Sequence, residues 1–249
     1  EIIGDMAPAI DNGEFQIFYQ PKISLDGTKI TGAEALIRWI RPDGTVLTPN
    51  MFVPLYDKTG QIIQLDYYVM EKAAASLSRN IQQGLPAIPL SVNLSALHAR
   101  DDSTVEQYLS ILKKYGLSPS LIQIEITESD TVFNYDNVRQ MFDSFQQAGF
   151  ATALDHFGVG FSVMNLISDL PLNVVKLDRI FINKCQNSHR GSYFLKETIH
   201  LLKGLGFTVL CQGIETKGQL DFLRQTECDE IQGNFFYKPL PENEFRELS

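Results

Sequence analysis

The sequence predicts an α/β fold, a TIM-like (β/α)8 barrel with an antiparallel first strand. Three observations predict it. Short apolar runs alternate with longer stretches of helical periodicity, the pattern of repeated βα units around a mostly parallel sheet. The chain has 249 residues, and α/β barrels often close as a single domain of about 250 residues. The first two apolar runs are separated only by Leu25-Asp26-Gly27-Thr28, a hairpin signal, so that pair is expected to be antiparallel.

Taken in order, residues 1–10 read as the end of a helix. Strands are expected over 15–23, 30–39, 90–94, 122–126, 151–154, 174–177, 208–210 and 230–233, where apolar and β-branched residues cluster. Helical patterns fill 61–83, 104–115, 135–148, 190–205 and 217–226. Gly84, Gly116, Gly149 and Gly206 stand just past the ends of four of these, where a helix commonly stops in a left-handed cap.

Composition removes several function classes. Thirty acidic residues against 21 basic ones leave a formal net charge of −9, which argues against binding a nucleic-acid polymer, since that normally needs a basic face. With 44% hydrophobic and 20% charged residues, enough apolar surface exists to offset chain entropy, so an acidic disordered tail is excluded. No run approaches the roughly 18 apolar residues of a membrane span, so no membrane contact is expected of this domain. The three cysteines, Cys185, Cys211 and Cys228, form no Cys-x-x-Cys, which fits a reducing cytoplasm. The chain starts at Glu1 without an initiator Met. It is read as one barrel domain, residues 1–249, excised from a longer protein.

The informative residues sit at strand ends. Glu34 and Arg38 lie on the second strand, Asn93 on the third, Glu125 and Glu128 on and after the fourth. Asp155 and His156 follow on the fifth, Lys176 and Asp178 on the sixth, Gln212 and Glu215 on the seventh, and Gln232 on the eighth. In a barrel the C-terminal strand ends converge on one mouth, where chemistry sits. One such carboxylate is usually a solvated rim residue; a polar group on seven consecutive strands is a pattern. Carboxylates with one Asn amide make a hard oxygen cluster that suits Mg²⁺ or Mn²⁺ rather than zinc.

These blocks resemble the EAL domain family. The matching segments, in order, are Tyr19-Gln20-Pro21, Glu34-Ala35-Leu36-Ile37-Arg38-Trp39, Ser91-Val92-Asn93-Leu94-Ser95 and Glu125-Ile126-Thr127-Glu128. Asp155-x-Phe157-Gly158, Lys176-Leu177-Asp178, Gly213-Ile214-Glu215 and Gln232-Gly233 complete the set. The resemblance runs from about Gly13 to Leu240. It implies a modified barrel that hydrolyses cyclic di-GMP to the linear dinucleotide with two divalent cations, usually at the C-terminal end of a longer bacterial signalling protein. By resemblance, Glu34, Asn93, Glu125 and Asp155 are first-metal ligands, and Lys176 helps hold the attacking water. Glu128 anchors the loop after the fifth strand, and Glu215 belongs to the catalytic set. Gln20, Leu36, Arg38, Asp178 and Gln232 fall where the family grips its ligand; an Arg suits phosphate because its fork donates two parallel hydrogen bonds. The implied partners are cyclic di-GMP, neighbouring signalling domains and a second copy in a homodimer. The implied setting is the bacterial cytoplasm, with a parent protein that is free to be membrane-anchored.

Two departures fall on one half of this site. Where the family usually has Asp-Asp-Phe-Gly, the second Asp, a second-metal ligand, is His156. Where active members have Glu-Gly-Val-Glu, the first Glu, the general base, is Gln212. Loss of a positioned general base costs about 10²- to 10⁴-fold in rate. A neutral imidazole can still ligate a metal, but a protonated one repels it. A third, milder departure is Val159, where the family favours a hydroxyl residue in the loop Gly158-Val159-Gly160-Phe161-Ser162. The first cation site is therefore expected to survive and the second to be impaired. The expected function is that of a degenerate EAL domain, a cyclic di-GMP binding and regulatory module with weak or no phosphodiesterase activity. The alternative is an active metal-dependent cyclic di-GMP phosphodiesterase yielding linear pGpG.

Overall fold

The structure, a computed structural model, describes residues 2, 4–133, 135–159 and 167–248. Gly160, Phe161 and Ser162 of the loop considered above lie outside the described residues. The hairpin is present: β1 (Phe15–Ser24) pairs antiparallel with β2 (Ile30–Ile40), and Gly27 takes the positive φ of 79° that the turn needs. A short β3 (Val46–Leu47) folds back on β2. Then come β4 (Leu90–Asn93), β5 (Ile122–Thr127), β6 (Ala151–Phe157), β7 (Val174–Leu177), β8 (Thr208–Gln212) and β9 (Glu230–Gln232). From β2 through β4 to β9 each strand is parallel to the next. Antiparallel β1 then pairs with β9 as well as β2 and closes an eight-stranded barrel. β10 (Leu240–Pro241) pairs with β1 outside that ring.

The helices pack outside. α1 (Met6–Asp11), α2 (Pro49–Thr59) and α3 (Ile62–Gln82) precede β4. α4 (Thr104–Tyr115), α5 (Glu128–Phe133) and α6 (Tyr135–Gln147) flank β5. α7 (Arg179–Gln186), α8 (His189–Gly204), α9 (Lys217–Leu223) and α10 (Glu242–Arg246) follow. The long α3 buries Leu65, Val69, Met70, Ala73, Ala74 and Leu77, an apolar stripe at helical spacing. Along β1 the two faces separate as the strand period requires. Tyr19 stacks outward on Phe245 of α10, with ring centroids 5.1 Å apart, while Gln20 and Lys22 turn into the barrel and bond Gln232 and Glu125.

The observed elements extend and correct the expected ones. β6 runs through Asp155 and His156 to Phe157, and β8 reaches Gln212, so these residues are strand residues rather than loop residues. α9 ends at Leu223, three residues short of the expected 226. α2, α5, α7 and α10, with the two-residue strands β3 and β10, are not among the expected elements. α2 begins at Pro49 and contains Pro54; two prolines read as a loop, yet proline is well suited to a first helical turn. α7 starts directly behind Asp178, whose side chain caps it by accepting from the Ile180 amide.

Candidate metal and ligand site

Barrel closure brings several of the expected strand-end residues together. Glu34, Glu125 and Asp155, all buried, each offer a carboxylate oxygen within 4.8 Å of the others. Lys176 rises from β7 into their midst. Its Nζ lies 3.0 Å from Glu34 Oε2 and 3.2 Å from Asp155 Oδ2, and it also bonds Glu125 Oε2. A second lysine, Lys22, reaches Glu125 Oε1 at 2.9 Å. Asn93 donates to Glu34 Oε1 at 3.2 Å. Gln232 donates to Glu34 Oε2 at 3.0 Å and to Gln20 Oε1 at 3.2 Å. One network thus joins Gln20, Lys22, Glu34, Asn93, Glu125, Asp155, Lys176 and Gln232.

The charges in this network do not cancel. Three buried carboxylates face two lysines, an excess of one negative charge. Burial works against the charge of Glu125, but Lys176 and Lys22 outweigh it and hold that carboxyl down at about 2. Burial pushes the Asp155 carboxyl up, and the charges of Glu125 and Glu34 add to this. Lys176 pays the cost of its own burial through Asp155, Glu125 and Glu34, which hold it well above the ordinary lysine range. The buried Oε1 of Gln232 has no hydrogen-bond partner among the described residues. Excess negative charge, hard oxygen donors and an unpartnered oxygen fit a divalent cation and a polar ligand.

A cleft of about 700 Å³ opens over the cluster. Glu34, Leu36, Arg38, Asn93, Glu125, Asp155 and His156 line it, and α2 adds Asn50, Val53, Pro54 and Asp57. Arg38 sits over the ring of Phe18 at 5.9 Å and donates to the Ile37 carbonyl at 2.8 Å. No ion pair involves it among the described residues. A half-buried guanidinium without a carboxylate partner is well placed to receive an anion.

The remaining expected residues are arranged differently. His156 has a positive φ of 58°. Its amide bonds Asp155 Oδ1 at 2.7 Å, and its ring Nδ1 lies 2.7 Å from Asp178 Oδ2. The bond to Asp178 raises the imidazole from 6.5 to about 9 against the opposing effect of burial. Partial burial pushes Asp178 up, but His156 and the Ile180 amide outweigh it and the carboxyl ends below its usual range. His156 is therefore a cation at neutral pH, and both oxygens of Asp178 are engaged, one by it and one by the cap of α7. Glu128 Oε2 accepts from the Gly158 amide at 3.1 Å and so ties α5 to the segment after β6. Glu215 is exposed and paired with Arg179. Gln212 ends β8 in register with Gln232. Two contributors escaped the sequence reading. Lys22 carried a signal, a lysine inside an apolar strand; α2 did not, because its prolines hid it.

These features define a class: a (β/α)8 barrel with one reversed strand and a cation-suited acidic mouth. The chain belongs to the EAL domain family, whose model matches residues 4–239. It is 32% identical over 236 residues to the oxygen sensor protein DosP of Escherichia coli, covering 95% of this chain and 30% of DosP. It is 29% identical over 243 residues to the cyclic di-GMP phosphodiesterase RocR of Pseudomonas aeruginosa, covering 98% of this chain and 62% of RocR. The chain thus spans less than two thirds of the length of these relatives, 30% and 62% in the two. Among solved structures, the MucR phosphodiesterase in complex with cyclic di-GMP superposes with a TM-score of 0.91 at 28% identity, covering 98% of this chain and 99% of that one.

Proposed function

We propose that this domain binds cyclic di-GMP at the mouth cleft as a regulatory module and hydrolyses it weakly or not at all. Glu34, Asn93, Glu125 and Asp155 would hold one Mg²⁺ or Mn²⁺. Gln20, Leu36, Arg38 and Gln232 would grip the dinucleotide, with Arg38 on a phosphate. A cation bound there would polarise a phosphodiester and lower the pKa of a bound water. Membership of the EAL family, and a solved relative in complex with cyclic di-GMP, support the ligand.

The observation that carries the reading is the His156–Asp178 pair, 2.7 Å between Nδ1 and Oδ2. It puts a positive charge where active members of the family, as the resemblance implies, keep a carboxylate for a second cation. Gln212, which by the resemblance serves the same half of the site, cannot take a proton at neutral pH. The carboxylate cluster is intact and the opposite half is short of two negative charges. Calorimetry with cyclic di-GMP in Mg²⁺ tests binding; absence of heat up to high micromolar ligand sinks the receptor reading.

The second reading, a working phosphodiesterase, is favoured by the intact Lys176 cluster and by the Glu128–Gly158 bond. Chromatography of reaction mixtures with Mg²⁺ or Mn²⁺ decides between the two. Linear pGpG formed within minutes at low enzyme concentration establishes the enzyme. Signalling through neighbouring domains or a homodimer would be the output of the receptor.

A further inference from the structure

Lys22 has no part in the functional reading above, yet it is one of the most completely enclosed charges in the protein. Its side chain is 4% exposed and that of its partner Glu125 0%. The oxygen it bonds, Glu125 Oε1, accepts a second hydrogen bond from Gln123 Nε2 at 3.1 Å. The other oxygen, Oε2, faces Lys176. The two oxygens of one carboxylate are thus held from different sides. Across the β1–β2 ladder Gln20 pairs with Glu34, whereas Lys22 pairs with Gly32, so the lysine approaches from the layer beneath the carboxylates. Gly32 leaves room for it. A Cβ at that position would stand 3.6 Å from Lys22 Cδ and 3.1 Å from the Pro89 carbonyl oxygen.

We infer that Lys22 is a positioning residue of the site: with Gln123 it occupies Glu125 Oε1 from below, so that Glu125 offers a cation at the mouth a single oxygen, Oε2. This inference rests on the divalent-cation reading of the cluster. A competing role, plain charge compensation, makes the opposite prediction. Removing a nearby positive charge tightens cation binding by Coulomb attraction. Removing a group that orients a metal ligand weakens it, typically about 10- to 100-fold.

The test is a Mn²⁺ titration of the purified protein, with free ion read by electron paramagnetic resonance and folding checked by circular dichroism. Lys22→Met keeps the length of the side chain and removes its charge. Gln123→Leu removes only the second donor. The expected result is about 10- to 100-fold weaker Mn²⁺ binding for Lys22→Met and a smaller weakening for Gln123→Leu. Equal or tighter binding by folded Lys22→Met overturns the inference. If Lys22→Met does not fold, Gln123→Leu decides, and unchanged affinity there overturns it. A wild-type protein that takes up no Mn²⁺ overturns the cation reading together with this inference. A wild type that binds, beside variants that bind equally well, overturns this inference alone.

Discussion

At the scale of single residues, His156 and Gln212 separate a receptor from an enzyme. His156 holds a left-handed backbone, φ 58°, that Asp also tolerates better than most residues. Replacing it with Asp therefore changes charge with little change in backbone conformation. The double variant His156→Asp, Gln212→Glu should gain phosphodiesterase activity beyond the product of the two single gains. A restored general base contributes about 10²- to 10⁴-fold, but only if the cation it works beside is also held. Single-turnover rates of the three variants check this; merely multiplicative gains argue for independent positions. His156 also makes a pH prediction for the metal-free protein. Its folded value of about 9 exceeds the ordinary 6.5, chiefly through the bond to Asp178. Its stabilising contribution is thus fully present below about pH 6.5 and is lost as pH rises through about 9. The side chain is 54% exposed, so solvent screening keeps that contribution small. Nuclear magnetic resonance of the imidazole in EDTA should give a midpoint near 9; one near 6.5 means that the ion pair does not form.

At the scale of elements, the segment after β6 is held by packing as much as by bonding. Gly158 has φ +94°, and a Cβ there would lie 2.6 Å from Phe181 Cγ on α7. Its amide also bonds Glu128 on α5. Gly158→Ala should cost about 1–3 kcal/mol in backbone strain, before any displacement of Phe181. At about 2–4 °C per kcal/mol for a chain of this size, the Tm drop is measurable by calorimetry. Gly84→Ala is the control: φ is +78°, but nothing lies within 4 Å of the added Cβ. A drop as large at Gly84 would assign the Gly158 effect to φ alone. Element prediction itself failed where two signals competed at one residue. Asp178 closes the Lys176-Leu177-Asp178 strand-end block in the sequence, and that position masks its role as the cap of α7. Periodic stretches without such competition were legible, and α4 begins and ends at residues 104 and 115 as expected.

At the scale of the molecule, the net charge of −9 takes on a location. Part of it is the excess negative charge buried at the barrel mouth. A divalent cation that binds only the folded protein stabilises it by about 2.7 kcal/mol at 100 times its Kd. Mg²⁺ or Mn²⁺ should therefore raise Tm by several degrees, and EDTA should reverse the rise. No shift at millimolar cation would contradict the cation site. Among the described residues no helix is long and apolar enough to cross a membrane.

The sequence by itself determined the order of the eight barrel strands, the reversed first strand and which strand ends carry polar residues. Those are local properties: periodicity, a four-residue turn, and the position of a polar group along its own strand. Tertiary structure alone decided which charges meet. Lys22 and Glu125 are 103 residues apart, His156 and Asp178 are 22 apart, and Arg179 and Glu215 are 36 apart. Only closure of the barrel and packing of α7 make them neighbours. Their ionisation follows from those neighbours and from burial, and strand patterning specifies neither.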